Sequence, residues 1–293
     1  MERHPYFDLW LHSTQELSEL LSFGIVERTT LHEWPLSCVQ LLKLADGRPL
    51  IYKSQLQATT VEPEFYSAVH KDPAVYTRIY RPRLPRTDLL GILRNSVAMT
   101  IEYIDAPRLE DFQMNEAEIL DHGNRLLSEM SRFQPELPVY IDISTQAKWL
   151  SFVEETISML NSVIASGQFR LTKSAAVQGL SKWARSEAII AILQSPPALN
   201  HRDLGGYNVF VTPNGYKIID WQRPVRGPAE LDRVGYLSAM GIDPFRYIDP
   251  GIIGLSRFLS MQWFVECKAH WFPPGESYDR QVADFADQIL QLC

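Results

Sequence analysis

Three features of this 293-residue sequence predict an α+β protein in two lobes. Short apolar segments separated by turn residues crowd residues 1–104, which reads as a strand-rich N-terminal lobe. From Asp105 onward, apolar residues recur at helical spacing behind capping signatures, so residues 105–293 read as a helical C-terminal lobe. One alternating run, Leu199–Trp221, interrupts those helices and reads as a short hairpin carried on the helical half.

The elements follow in order. Ser13 and Glu16 have the spacing of a capping box ahead of Leu17, Leu20 and Leu21, which predicts a first helix. Val39–Leu44 and Pro49–Ser54 read as strands, with Asp46-Gly47 between them as a two-residue hairpin signal. Thr60 is placed to start a helix through His70, in whose first turn Pro63 is tolerated. A Pro- and Arg-rich loop from Arg78 to Arg86 then leads to an extended segment, Val97–Ile104. Past Ala106-Pro107, Asn115 and Glu118 form a second capping box, and Ile119, Leu126, Leu127 and Met130 supply an apolar face. Helical patterns continue through Trp149–Ile164 and Ala175–Leu193. The hairpin turns at Pro213-Asn214-Gly215, and helices over Leu255–His270 and Tyr278–Leu292 close the chain.

Composition narrows the classes. A net charge of −7 and a pI near 5.5 argue against a protein that grips nucleic acid, which needs a basic surface to neutralise phosphates. No apolar run approaches the roughly 18 residues of a membrane span. The opening MERHPYFDLW has no basic segment ahead of an apolar one, so no secretory signal is expected. Cys38, Cys267 and Cys293 are far apart with no CxxC or zinc spacing, and read as reduced thiols of a cytoplasmic protein. The arginines at 78, 81, 83, 86 and 94 read as solvated surface of the first lobe. Trp263, Phe264, Trp271 and Phe272 are expected to pack on a helix, with stacking on a ligand as the alternative.

The chemistry is concentrated in His201-Arg202-Asp203-Leu204-Gly205-Gly206-Tyr207-Asn208 and Ile219-Asp220-Trp221. Phosphoryl transfer asks a protein mainly for positioning and for cancellation of phosphate charge. One carboxylate must orient the attacking hydroxyl and accept its proton; a second carboxylate and an amide oxygen must hold Mg²⁺. Asp203 and Asn208, five residues apart, can stand at one end of a loop, and Asp220 arrives from the far strand of the hairpin. The first stretch fits the H-R-D-L-x-x-x-N catalytic-loop pattern at every fixed position.

These residues resemble the aminoglycoside phosphotransferase family, within the protein-kinase-like superfamily. The family's loop is present as His201, Asp203, Leu204, Gly205 and Asn208, and its Ile-Asp-Trp motif as Ile219-Asp220-Trp221. Gly227-Pro228 and Leu231-Asp232 look like the Gly-then-Asp stretch that follows in such enzymes. The resemblance implies a two-lobed protein-kinase-like fold binding ATP, or GTP, and Mg²⁺ between the lobes. It implies Asp203 as catalytic base and Asn208 with Asp220 as metal ligands.

A kinase-like first lobe also needs a strand lysine held by a helix glutamate, to neutralise the α- and β-phosphates. Lys53 stands where such a lysine is expected; Glu62 or Glu64 is its partner, and the resemblance of Glu62-x-x-Phe65-Tyr66 to the family's helix favours Glu62. By resemblance, backbone groups around Glu102, Tyr103 and Ile104 would hydrogen-bond the nucleotide base. One departure stands out. Where kinases carry glycines between the first two strands, this chain has His32-Glu33-Trp34-Pro35-Leu36-Ser37, in which Ser37 offers an amide and a hydroxyl.

About 65 residues separate Phe133 from the catalytic loop, and too few separate Asp220 from Asp232 for a long activation segment. By the resemblance to small-molecule kinases of the aminoglycoside phosphotransferase type, both features favour a small-molecule hydroxyl acceptor over a protein. The acidic excess lies in residues 105–293 and suits an amine-bearing alcohol, such as an amino sugar or amino alcohol. The alternative is a non-catalytic kinase-like module that binds nucleotide or a partner. Oligomeric state is left open at this level.

Overall fold

A computed structural model describes residues 2–70, 76–79, 96–133, 136–272 and 278–292, with backbone alone for 76–79. The arginines at 81, 83, 86 and 94, the side chain of Arg78, most of the Arg78–Arg86 loop and Cys293 lie outside the described residues. The chain divides into two compact units. One comprises Met1–Ala106, Glu136–Tyr140 and Asp220–Arg223; the other comprises Pro107–Pro135, Ile141–Ile219 and Pro224–Cys293.

In the first unit, β1 (Glu2–Arg3) pairs antiparallel with β2 (Trp10–Leu11) ahead of α1 (Thr14–Leu21). The capping box of Ser13 and Glu16 is present in both directions, as the spacing predicts. A sheet follows, built from β3 (Ile25–Trp34), β4 (Ser37–Leu44), β5 (Pro49–Leu56), β6 (Tyr76–Ile79) and β7 (Ser96–Glu102). Its strand order is β3-β4-β5-β7-β6, and every neighbouring pair is antiparallel. Between β5 and β6 lies α2 (Glu62–Val69). Leu17 of α1 is fully buried against Leu42, Tyr52 and Ala98, whereas Leu20 is exposed, so the helix face is narrower than its three leucines suggest. Burying one such leucine is worth about 1.5–3 kcal/mol.

Three details differ from the sequence reading. Asp46-Gly47 sits in a four-residue connection, 45–48, and not in a two-residue turn; Gly47 takes φ +88 there. The Asp46 carboxylate accepts the Arg48 N–H at 3.0 Å, which closes that loop. The extended segment stops at Glu102 and not at Ile104: the ladder ends at Leu50↔Glu102, and the next residue of β5 is Pro49, which has no N–H to offer. The ten-residue β3 is mostly exposed along its length, so no apolar alternation marks it.

In the second unit, α3 (Glu116–Met130) carries the complete Asn115–Glu118 capping box. It is followed by β8 (Ile141–Asp142), α4 (Gln146–Ala165), α5 (Ser174–Ala184) and α6 (Glu187–Ile192). The single helix expected over Ala175–Leu193 is thus two. The Trp149 indole donates to the Ala184 carbonyl at 2.8 Å and Ser186 is extended, which stops the first helix under the core. Next come β9 (Pro197–Asn200), the hairpin β10 (Val209–Thr212) and β11 (Gly215–Ile218), and β12 (Val225–Pro228). β12 lies between β8 and β9.

The chain ends in α7 (Leu231–Ala239), α8 (Pro250–Glu266), a π-turn over Cys267–Trp271, and α9 (Asp279–Leu290). α7 was not expected, since Leu231, Val234 and Leu237 span too few turns to show a period. α8 begins five residues earlier than read, capped by Asp249 with Pro250 in its first turn. Trp149, Trp183 and Phe258 meet in the core, where the Phe258 ring lies 5.2 Å from Trp149 and 5.9 Å from Trp183. Phe264 packs on Tyr278 and Phe285, and Trp271 and Phe272 are buried, as packing residues. Cys38 and Cys267 are buried. Among the described residues no helix is long and apolar enough to cross a membrane.

Candidate active site

Strand alternation sorts β5 into two faces. Tyr52 and Ser54 point toward the N-terminal segment: the Tyr52 hydroxyl meets His12, and the Ser54 hydroxyl donates to the Trp10 carbonyl. Lys53 and Gln55 point the other way, toward α2. There the Lys53 ammonium lies 2.7 Å from Glu62, and the Gln55 amide donates to the same Glu62 oxygen at 2.8 Å. Glu62 is wholly buried at the start of α2, where the Thr60 hydroxyl accepts its N–H. Glu64, two residues on, is rotated some 200° about the helix axis and half-buried.

Asp220 completes the group. Its Oδ1 accepts a short hydrogen bond from the Lys53 ammonium. The segment that carries it is fastened to α2 by the Val61 N–H, which donates to the Gln222 carbonyl at 2.9 Å, and by Trp221 stacked on Phe65 at 4.4 Å. Asp220 has φ +70, a left-handed conformation that aspartate adopts more readily than branched residues. One ammonium therefore stands between two carboxylates. Burial pushes Glu62 up to about 7 against the pull of Lys53, and Asp220 adds to the rise. Burial lowers the Lys53 ammonium, but Asp220 and Glu62 outweigh it and its pKa moves up.

The residues expected from sequence to form a catalytic loop, 201–208, lie in the second unit. Asp203 is engaged on both carboxylate oxygens: Oδ1 accepts from the Tyr207 hydroxyl at 2.5 Å, and Oδ2 accepts from the Asn208 amide at 3.1 Å. The same amide donates to the Asp203 carbonyl at 2.9 Å, which turns the Asn208 Oδ1 away from Asp203. Arg202 takes φ +73, and its guanidinium binds Ser256 and Ser260 of α8. His201 accepts the Asp203 N–H on Nδ1, so its Nε2 carries the proton and donates to the Ile219 carbonyl at 2.8 Å. The Ile219 N–H donates to the Asn208 carbonyl at 3.0 Å. Both ends of Ile219 are thus gripped by the loop, one residue before Asp220.

Asp232 holds this loop from beneath. Fully buried on α7, it accepts the N–H of His201 at 2.6 Å and of Arg202 at 2.7 Å on separate oxygens. Burial raises its pKa, against the opposing pull of His201 and the two N–H groups. Sequence reasoning placed Leu231-Asp232 in a motif but gave Asp232 no role. Its signal was a lone acidic residue in the first turn of a short helix, which elsewhere is an ordinary dipole partner. Gln55 and Tyr207 were missed altogether.

The remaining residues named from sequence fall as follows. Ser37 is buried at the start of β4, where its hydroxyl takes the Trp34 indole N–H at 2.5 Å. The β3–β4 connection is a two-residue turn, Pro35-Leu36, tied down by the Leu36 carbonyl accepting from Leu56. Glu102 is the last residue of β7, and Tyr103 and Ile104 continue past the ladder. A hard dication prefers oxygen donors. The Asn208 Oδ1 and the second carboxylate oxygen of Asp220 are of that kind, so the donor chemistry fits Mg²⁺.

No protein-family model matches the chain, and no curated protein matches it in sequence. Solved structures match it in fold. A thermostable mutant of the aminoglycoside phosphotransferase APH(4)-Ia, in ternary complex with ADP and hygromycin B, superimposes at TM-score 0.59 with 14% identity, over 95% of this chain and 98% of that one. The spectinomycin phosphotransferase APH(9)-Ia, in complex with ADP and spectinomycin, does so at 0.52 and 14%, over 97% and 98%. A choline/ethanolamine kinase family protein from Mesorhizobium loti gives 0.54 and 12%, over 91% and 92%. The chain therefore has the protein-kinase-like fold in the form found in small-molecule kinases. At these identities the likeness is one of fold.

Proposed function

We propose that this protein is a phosphotransferase that moves the γ-phosphoryl group of ATP or GTP, with Mg²⁺, onto a hydroxyl of a small molecule. The observation that carries the reading is the state of Asp203. It is a carboxylate oriented by an amide and a hydroxyl, on a loop whose backbone is pinned by a buried aspartate. In this role Asp203 accepts the proton of the acceptor hydroxyl as the alcohol oxygen bonds to the γ-phosphorus and the diphosphate leaves. Lys53, oriented by Glu62, neutralises phosphate charge. Asp220 and Asn208 supply oxygen ligands to the metal, which when bound cancels further charge on the phosphates.

A small acceptor is supported by the chain between the motifs. Asp220 to Asp232 is taken up by the short β12 and the start of α7, with no long segment to order a polypeptide. The acidic excess of residues 105–293 favours an amine-bearing alcohol, and the aminoglycoside and choline/ethanolamine kinase neighbours fit that class.

The test has two stages. Thermal unfolding with Mg·ATP and Mg·GTP should rise for the wild type and rise less for Asp220→Ala; at a hundredfold excess over Kd the stabilisation is about 2.7 kcal/mol. Phosphate transfer to a panel of amino sugars and amino alcohols should then be detectable and should collapse in Asp203→Ala. Transfer by Asp203→Ala at the wild-type rate would remove Asp203 from the chemistry. The glycine-free Pro35-Leu36 turn favours a second reading, a nucleotide-binding module without turnover. Binding of Mg·ATP with no transfer to any alcohol of the panel would select it.

A further inference from the structure

The base of the catalytic loop is already hydrogen-bonded to a hydroxyl of the protein itself. Tyr207 donates to Asp203 Oδ1 at 2.5 Å, while Asn208 occupies Oδ2. With Oδ2 held by the Asn208 amide, Oδ1 is the oxygen that movement of Tyr207 would open to a proton, and the phenol stands on it. The seat is built for that ring. A Cβ on Gly205 would fall inside contact distance of the Tyr207 Cε1, Cζ and Cδ1 atoms, so the glycine is what lets the ring lie against the loop. Gly205 itself has φ −110, so its backbone does not require glycine. Tyr207 is 38% exposed, which leaves the ring a path outward.

We propose that Tyr207 is a specificity residue: its hydroxyl occupies the acceptor position on Asp203 and is displaced by an alcohol but not by water. The inference rests on the phosphotransferase reading. A phenol is a stronger hydrogen-bond donor than water or an aliphatic alcohol, having a pKa of about 10. Being tethered to the same loop, four residues from Asp203, it also competes at high effective concentration. A water molecule brings nothing else to offset that advantage. An acceptor alcohol brings binding contacts from the rest of its structure, and these offset the loss of the Tyr207 bond. The arrangement suppresses the wasteful reaction, in which a water oxygen bonds to the γ-phosphorus, the bond to the bridging oxygen breaks, and the proton passes through Asp203 to solvent. Its products are nucleoside diphosphate and inorganic phosphate.

The experiment needs no knowledge of the acceptor. Hydrolysis of Mg·ATP in buffer alone is measured for the wild type, Tyr207→Phe, Gly205→Ala and the double variant Asp203→Asn/Tyr207→Phe, with Mg·ATP binding followed by thermal shift. Phenylalanine keeps the ring and removes the hydroxyl; alanine at 205 displaces the ring by a different route. Both single variants should hydrolyse Mg·ATP about tenfold faster than the wild type, bind it equally well, and lose the gain when Asp203 is changed. Hydrolysis by Tyr207→Phe that is no faster than wild type overturns the inference, as does a gain that survives Asp203→Asn. If Mg·ATP stabilises none of the proteins, the phosphotransferase reading falls and this inference falls with it. Binding without the gain removes the inference alone.

Discussion

His201 and Ile219 are joined by a 2.8 Å hydrogen bond from the imidazole Nε2 to the backbone carbonyl, across eighteen residues of sequence. The bond turns a histidine of the Asp203 loop into a clamp on the residue that precedes Asp220. Replacing His201 by alanine removes the partner of that carbonyl and of the Asp203 N–H, both in partly buried surroundings. The expected cost is about 1–2 kcal/mol in urea unfolding. A change below about 0.5 kcal/mol would place the clamp among ornamental contacts.

Asp232 separates two kinds of loss. Asparagine has one acceptor oxygen, so Asp232→Asn should leave either the His201 or the Arg202 N–H unpaired, at about 1–3 kcal/mol. Alanine leaves both unpaired and should cost about 3–5 kcal/mol, the upper end of single-site effects. Chemical denaturation of both variants measures the two steps, and equal costs would contradict the two-oxygen geometry.

Glu62 sets a pH dependence whose sign follows from its raised folded pKa, from 4.5 to about 7. The folded state binds its proton more tightly than the unfolded chain does. Its contribution is therefore fully present below pH 4.5 and is lost as pH rises through 7. Relative to Glu62→Gln, the wild type should lose about 2–3 kcal/mol of stability over that window. A flat difference between the two proteins from pH 4.5 to 8 would show that Lys53 holds Glu62 ionised throughout. The same substitution should lower any phosphate-transfer rate, since Lys53 loses the partner that orients it.

Asp279 has the opposite sign. Burial raises its carboxyl, but the N–H groups of Leu171, Arg170 and Thr172 outweigh that and its folded pKa lies below the unfolded 3.8. Its stabilisation is present above that value and is lost as pH falls through the folded pKa. Asp279→Ala orphans those three N–H groups and should cost about 3 kcal/mol at neutral pH, less as the solution is acidified. Acid-unfolding curves of the two proteins that stay parallel down to pH 2 would contradict this.

Much of this molecule was legible in its sequence where a few neighbouring residues decide the outcome. The capping boxes at Ser13 and Asn115 form as their spacing requires, because each joins groups three residues apart. The β10–β11 hairpin turns at Pro213-Asn214 for the same reason. The contact of Asn208 with Asp203 could be anticipated because the two stand only five residues apart on one loop. The long β3 escaped notice because neither of its faces is continuously buried. The break between α5 and α6 escaped because the Trp149 indole that takes the Ala184 carbonyl comes from 35 residues away.

By itself the sequence determined the two-part α+β order, the caps and turns, and the loop that carries Asp203, since these rest on bonds within one or two turns of chain. Only the tertiary structure decided that Lys53 meets Glu62 and not Glu64, that Asp232 carries the loop, and that Tyr207 stands on Asp203. Even Tyr207, four residues from its partner, depends on Gly205 leaving room for the ring. The physical reason is burial. A buried charge or N–H must find a partner, and which partner it finds depends on what packing brings within about 3 Å.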